Sequence, residues 1–98
     1  MEITIEHGKE MVIKFKGRLD TVSSLEVSKK LEKEEVKEDL VIFDMKETEY
    51  ISSAGLRLLI SLKKSLGEKN KSLEIHSLND ICKEVFRVTG FNNVLNVK

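Results

Sequence analysis

Residues 40–67, LVIFDMKETEYISSAGLRLLISLKKSLG, combine a strand, a polar connection and a helix in direct succession. Residues 40–45 form a short apolar run rich in β-branched and aromatic side chains, which is typical of a mid-sheet strand covered on both faces. Residues 46–53 are polar and are expected to form a solvated loop. Gly67 is placed to cap the helix that follows, and that helix has one apolar stripe formed by Leu56, Leu59, Leu62 and Leu66.

The sequence before this stretch predicts a hairpin and a helix. Residues 1–6 and 11–15 alternate apolar and polar side chains on either side of a short polar turn, as two antiparallel strands do. Residues 23–36 have apolar side chains at helical spacing, and Ser23 with Glu26 predicts a capping box in the first turn. The buried stripe of this helix would consist of Leu25, Val27 and Leu31.

The sequence after residue 67 predicts a strand at residues 72–76 and a helix capped by Asn79 and ended by Gly90. The apolar residues of this helix are Ile81, Val85 and Val88. A last edge strand is expected at residues 93–97.

The resulting order ββαβαβαβ predicts one α/β domain over residues 1–98. Its mixed sheet would have an antiparallel N-terminal edge hairpin, and its parallel strands would be joined by right-handed crossovers through about three helices. Because functional groups gather at the carboxyl ends of parallel strands, we expect the site in the loops at residues 17–23, 46–53 and 77–79.

The charge composition argues against several classes of function. Seventeen Lys and Arg residues balance seventeen Asp and Glu residues, whereas nucleic-acid-binding domains normally carry a basic surplus. Cys82 is the single cysteine, and no apolar run approaches the roughly 18 residues of a spanning helix. We therefore expect a cytoplasmic protein with no nucleic-acid partner and no membrane insertion. The core is expected to include Cys82, Met11, Met45 and Phe86.

The neutral total hides an uneven distribution of charge along the chain. Residues 1–49 carry nine basic and thirteen acidic side chains, whereas residues 50–98 carry eight basic and four acidic ones. Such a distribution serves solubility, or it orients a charged partner before docking.

Two adjacent hydroxyls, Ser52 and Ser53, lie where the polar connection meets the leucine-striped helix. Serine is a preferred N-cap, so one interpretation is purely structural. The other interpretation is phosphorylation, because the free N–H groups of a first helical turn and the positive end of the helix dipole stabilise a phosphate. Ala54 and Gly55 would leave the approach to Ser53 open.

Enzymatic alternatives have weaker support. A nucleophile elbow has the pattern G-x-S-x-G, but Ile51 replaces the first glycine, and His7 and His76 are the only histidines available as bases. Asp44 resembles a phosphoacceptor, yet no acidic pair accompanies it to hold a metal ion. With no metal-ligand spacing and no glycine-rich nucleotide loop, we expect neither an enzyme nor a cofactor or metal.

Two motifs carry a resemblance to a known family. They are G-x-L-D, ending at Asp20, and the strand-to-helix segment at residues 42–59. The chain resembles STAS domains of the anti-sigma factor antagonist family. In that family the phosphorylated hydroxyl lies two residues before the helix glycine, which corresponds to Ser53 here, with Ser52 as the less favoured site. Ser52 stands where the family often has Asp, Ala54 replaces a second hydroxyl, and many relatives continue into a further helix.

The resemblance implies a partner switch. The unmodified domain would bind an anti-sigma serine kinase and release its sigma factor, phosphorylation would end that binding, and a serine phosphatase would reset it. Asp20 and Asp44 would be neighbours of the phosphosite, although Asp20 could also cap a helix and Asp44 tie down a loop. The partner-binding residues would include Ser52, Ala54, Gly55 and Arg57. The alternative is an unphosphorylated STAS adaptor in a transport or signalling assembly.

Overall fold

A computed structural model describes residues 1–98 and shows a five-stranded mixed sheet with three α-helices. The elements, in chain order, are β1 (Glu2–Glu6), β2 (Met11–Leu19), α1 (Thr21–Glu32), β3 (Leu40–Ile51), α2 (Ser53–Glu68), β4 (Ser72–His76), α3 (Asp80–Thr89), a 3-10 turn (Phe91–Asn93) and β5 (Asn96–Val97). The predicted order and fold class are confirmed.

The strands lie side by side in chain order, with β3 in the middle of the sheet as predicted. β1 pairs with β2 in antiparallel register, and the remaining neighbours are parallel. Right-handed crossovers between parallel strands that follow chain order place all the connecting helices on one face.

The sheet is therefore covered by helices on one face only. Alternate strand residues such as Ile13 and Phe43 join residues of all three helices in a single apolar cluster. On the opposite face of the sheet, Lys14 is exposed and Asp44 is half-buried. The expectation that the central strand is covered on both faces fails for helical cover, because no helix crosses back over that face, although Ile42 of β3 is buried there at 9% exposure.

The core contains the four residues named individually as core from the sequence: Cys82, Met11, Met45 and Phe86. The rings of Phe15 and Phe43 pack with centroids 5.1 Å apart between neighbouring strands. Helix α2 buries three of its four stripe leucines, and only Leu62 remains half-buried. Helix α3 instead buries Cys82 and Phe86, which leaves Ile81 and Val88 exposed on its flank.

Helix α1 begins earlier than predicted. Asp20, not Ser23, is the N-cap, and Ser23 is the third helical residue that bonds back to it. The Asp20 carboxylate accepts a bond from the Ser23 N–H at 3.0 Å, and the Asp20 N–H donates to the Ser23 hydroxyl at 2.8 Å. This reciprocal box replaces the predicted Ser23–Glu26 pair and turns Leu25 toward solvent.

Strand β3 is much longer than predicted. The polar residues expected to form a loop continue the strand to Ile51, where it pairs with Leu19 of β2. Two register shifts, one after Lys14 and one after Gly17, each leave an extra residue in β3. These bulges break the apolar alternation of a strand, which is why the local pattern resembled a turn.

The ends of the other elements follow local chemistry more closely. Gly90 ends α3 in the left-handed conformation with φ 77°, as predicted. Gly67 lies inside α2, which ends at Glu68, and the left-handed turn is made instead by Asn70 with φ 62°. The last strand is confined to two residues, because the 3-10 turn occupies the start of the predicted segment.

Candidate functional site

Two helix N-termini lie side by side at one edge of the sheet. Strand β2 ends at Leu19 and delivers the cap Asp20, while its neighbour β3 ends at Ile51 and delivers the cap Ser52. The Ser52 N–H donates to the Leu19 carbonyl at 2.9 Å, which fixes the two caps relative to each other. Parallel pairing of β2 and β3 thus brings α1 and α2 to the same place.

The third helix begins at the same edge. Asn79 caps α3 by accepting a bond from the Cys82 N–H at 2.8 Å. Its side-chain amide also donates to the carbonyl of Thr48 in β3 at 3.0 Å. The predicted loops at residues 17–23 and 77–79 therefore do converge, and the end of β3 lies between them.

The structure separates the roles of the two adjacent serines. The Ser52 hydroxyl is half-buried and accepts a bond from the Gly55 N–H at 3.2 Å, so it caps α2. Ser53 is the first residue of α2, its side chain is exposed, and its hydroxyl makes no hydrogen bond within the protein. Ser53 is thus the hydroxyl available to another molecule at this helix terminus.

Gly55 allows α2 to approach β2 closely. A Cβ atom added to Gly55 would lie 2.7 Å from the Leu19 carbonyl oxygen and 2.9 Å from Leu19 Cγ. Both distances are shorter than real Cβ contacts allow. Gly55 has no side chain and the Ala54 methyl is half-buried, so neither residue shields Ser53.

Of the two predicted acidic neighbours, only Asp20 lies at this edge. Hydrogen bonds from the Ser23 backbone and then from its side chain hold the pKa of Asp20 below its usual value. Capping of α1, the structural alternative for this residue, is therefore a role that Asp20 does perform.

Asp44 is not a neighbour of Ser53. It pairs with Lys14, five positions before Leu19, which is roughly 17 Å of strand at about 3.3 Å per residue. Its carboxylate accepts a bond from the Lys46 N–H at 3.1 Å. The expected proximity fails because the segment after Asp44 is extended strand and not a loop that folds back.

The site also contains exposed side chains that the sequence did not indicate. Val22 and Leu25, one turn apart near the start of α1, are 68% and 63% exposed. The Arg18 guanidinium, which was also not indicated, stacks 4.7 Å from the centre of the Tyr50 ring. Arg57, which the resemblance did name as a partner-binding residue, is exposed one turn after Ser53. Placing the cap at Asp20 would have put Leu25 outside the buried stripe and revealed the apolar pair.

Both histidine rings bond to glutamates away from Ser53. The His7 ring bonds Glu34 and Glu38, and the His76 ring bonds Glu74, so neither histidine bonds Ser53. No group of three or more His, Cys, Asp or Glu side chains is arranged to hold a metal ion. None of the helices combines the length and apolar character needed to traverse a bilayer.

Comparison with known proteins establishes the family. The profile of the STAS domain matches residues 2–98. The chain belongs to the STAS domain family. The resemblance that rested on Asp20 and on the segment around Ser53 is confirmed at the level of the family.

Individual relatives of this STAS domain have regulatory and transport names. The anti-sigma-B factor antagonist of Listeria innocua is 30% identical over 83 residues, which cover 84% of this chain and 73% of the relative. The structure of the anti-sigma factor antagonist SpoIIAA in its unphosphorylated form has TM-score 0.81 at 15% identity, covering 99% and 88% of the two chains. The phosphorylated form of SpoIIAA, a Bacillus cell fate determinant, has TM-score 0.72 at 15% identity, covering 99% and 91%.

A transporter-family protein shares the fold as well. The structure of a sulfate transporter family protein from Wolinella succinogenes has TM-score 0.79 at 16% identity, covering 91% of this chain and 75% of the other. At such identities the structural likeness shows the fold alone.

Proposed function

We propose that this STAS domain is an anti-sigma factor antagonist that is switched by phosphorylation of Ser53. The proposal rests on the different roles of the two adjacent serine hydroxyls. The Ser52 hydroxyl caps α2, which leaves the exposed Ser53 hydroxyl free at the first position of the helix. In the unmodified form the domain binds an anti-sigma serine kinase, which then releases its sigma factor.

The N-terminus of α2 can accommodate a phosphate in the free domain. A phosphate adds about −1.5 to −2 charges at pH 7, and the unbonded N–H groups of the first turn with the helix dipole favour such a charge. Arg57, one turn further along, carries a positive charge on the same exposed side of the helix. Phosphorylation is therefore compatible with an intact fold.

The same phosphate would oppose a docked partner. In a complex, the new charge would lie close to the Asp20 carboxylate and would lose much of its water. Asp20 is negative at neutral pH, as any ordinary aspartate is, and its bonds to Ser23 lower its pKa further. Like-charge repulsion and desolvation both disfavour the bound state, so phosphorylation releases the partner.

The partner's contact surface includes the exposed apolar pair on α1. Val22 and Leu25 lie on the helix that packs beside α2, and both begin at the same sheet edge. Adjacent apolar side chains on one exposed face supply area for burial next to Ser53. A phosphate on Ser53 would thus modify the rim of an apolar contact.

The names of the relatives support this proposal. The Listeria innocua relative is an anti-sigma-B factor antagonist, and SpoIIAA has been solved in unphosphorylated and phosphorylated forms. On the proposal, a serine phosphatase resets the cycle. The domain itself, which we take to be cytoplasmic, catalyses no step and needs no cofactor.

Incubation with the cognate anti-sigma kinase and Mg-ATP, followed by intact-mass measurement, tests the modified residue. Wild type and Ser52→Ala should each gain one phosphate, whereas Ser53→Ala should gain none. Ser53→Asp should bind the kinase more weakly than wild type. An unmodified wild type, or Ser53→Ala modified like wild type, would contradict the proposal.

A matched pair of variants tests the docking surface. Val22 and Val88 are equally exposed, at 68%, but lie on different helices. Val22→Lys should weaken kinase binding by roughly tenfold, as loss of an apolar interface contact does, while Val88→Lys should leave binding unchanged. Capture of transport subunits in place of a kinase would favour the adaptor alternative.

A further inference from the structure

A cleft separates α1 from α2 on the helix-covered face of the sheet. It encloses about 290 Å³ and is lined by fifteen residues, nine of them hydrophobic. Its floor comes from β2 and β3, where Met11, Ile13 and Phe43 contribute fully buried side chains. Neither Ser52 nor Ser53 lines the cleft, which is therefore distinct from the phosphorylation site.

The walls of the cleft are apolar but only partly covered. Leu58 and Leu62 from α2 and Leu31 from α1 line the cleft and remain half-buried. They pack against the core without being closed off by it. Side chains of this kind gain further burial when an apolar group enters between the helices.

The mouth of the cleft is polar but has little net charge. Ser28 of α1 and Ser65 of α2 present hydroxyls there, and neither hydroxyl bonds another protein group. Glu32 and Lys69 have opposite charges, and Glu34 is already bonded to His7 at 2.7 Å. This mouth suits a head group that donates and accepts hydrogen bonds without carrying a charge.

We propose that this cleft is a binding site for a small uncharged amphiphile. An alkyl chain would lie against the half-buried side chains of Leu31, Leu58 and Leu62, and a hydroxyl or amide head group would bond the hydroxyls of Ser28 and Ser65. The volume of about 290 Å³ is at the lower limit of the roughly 300–1,000 Å³ of small-molecule sites, so the ligand is short. The proposal is independent of the phosphorylation of Ser53.

Titration of the full chain with three probes of equal chain length tests the proposal. The probes are 1-octanol, octanoate and octyltrimethylammonium, followed by methyl NMR shifts of Leu31, Leu58 and Leu62. We expect saturable shifts with 1-octanol, with a dissociation constant below about 1 mM, and at least tenfold weaker binding of both ions. Contacts between the probe chain and the methyl groups of Leu31, Leu58 and Leu62 should appear in nuclear Overhauser spectra.

Variants that fill the cleft supply the control. Ser65→Phe and, independently, Ser61→Phe add a ring at the cleft and should abolish 1-octanol binding. Lys63→Phe adds the same ring to an exposed position of α2 outside the cleft and should retain it. The proposal is overturned by non-saturating shifts, by binding that persists in both filled variants, or by an affinity for either ion equal to that for 1-octanol.

Discussion

Replacement of Gly55 by Ala probes the contact that positions the phosphorylation site. In most helices this exchange stabilises, since glycine costs about 0.5–1 kcal/mol relative to alanine. Here the new methyl would lie 2.7 Å from the Leu19 carbonyl oxygen, a backbone atom with little freedom to move. Helix α2 must therefore shift away from the end of β2.

The cost of that shift exceeds the gain in helix propensity. Overpacking of a well-packed contact costs about 1–3 kcal/mol. The shift also strains the bond from the Ser52 N–H to the Leu19 carbonyl, which is worth about 1 kcal/mol. After subtraction of the propensity gain, we expect Gly55→Ala to lower the free energy of unfolding by about 2 kcal/mol.

Gly67→Ala is the matched control, because Gly67 lies in the same helix and has no atom within 4 Å of an added Cβ. We expect it to raise the free energy of unfolding by about 0.5–1 kcal/mol. Urea unfolding followed by far-UV circular dichroism measures both variants. If Gly55→Ala were as stable as Gly67→Ala, the close approach of α2 to Leu19 would be refuted.

Three further predictions concern single groups. Ser52→Ala removes the cap of α2 and should lower the free energy of unfolding by about 1 kcal/mol. Ser53→Ala should change the free energy of unfolding by less than about 0.5 kcal/mol. Equal losses of the two variants in urea unfolding would refute the assignment of the cap to Ser52. Bonds to Glu34 and Glu38 raise the pKa of His7 above its ordinary value of 6.5. The stability contributed by protonated His7 is therefore complete below pH 6.5 and is lost as the pH rises through the pKa of His7 in the folded protein. His7→Gln should flatten this dependence of the urea unfolding midpoint on pH. Burial raises the pKa of the Cys82 thiol, so a thiol reagent should label native protein roughly tenfold or more slowly than unfolded protein, and equal rates would contradict the packing.

Local periodicity was sufficient for the order of elements and for the ends set by local chemistry. The leucine stripe of α2, the Asn79 cap and the Gly90 terminus depend on residues within one or two turns of each other. The N-cap of α1 was misplaced because Ser23 and Asp20 are both suitable caps. The strand pairing that ends β2 at Leu19 selects Asp20.

The extent of β3 could not be predicted from its own residues. The segment after Met45 has the charge density of a turn, and it is extended because β2 supplies hydrogen-bonding partners as far as Ile51. The bulges that break its alternation arise from this pairing. The same extension separates Asp44 from Ser53, which the family resemblance had implied to be neighbours.

The sequence by itself determined that the chain is an α/β domain and that a pair of serines precedes its central helix. Both follow from interactions between residues that are close in the chain. Only the tertiary structure decided that Ser52 is the cap and Ser53 the free hydroxyl, because that depends on where β3 leaves its pairing with β2. The need for glycine at position 55 has the same origin, since the atom it must avoid belongs to Leu19, which is remote in sequence and adjacent in space.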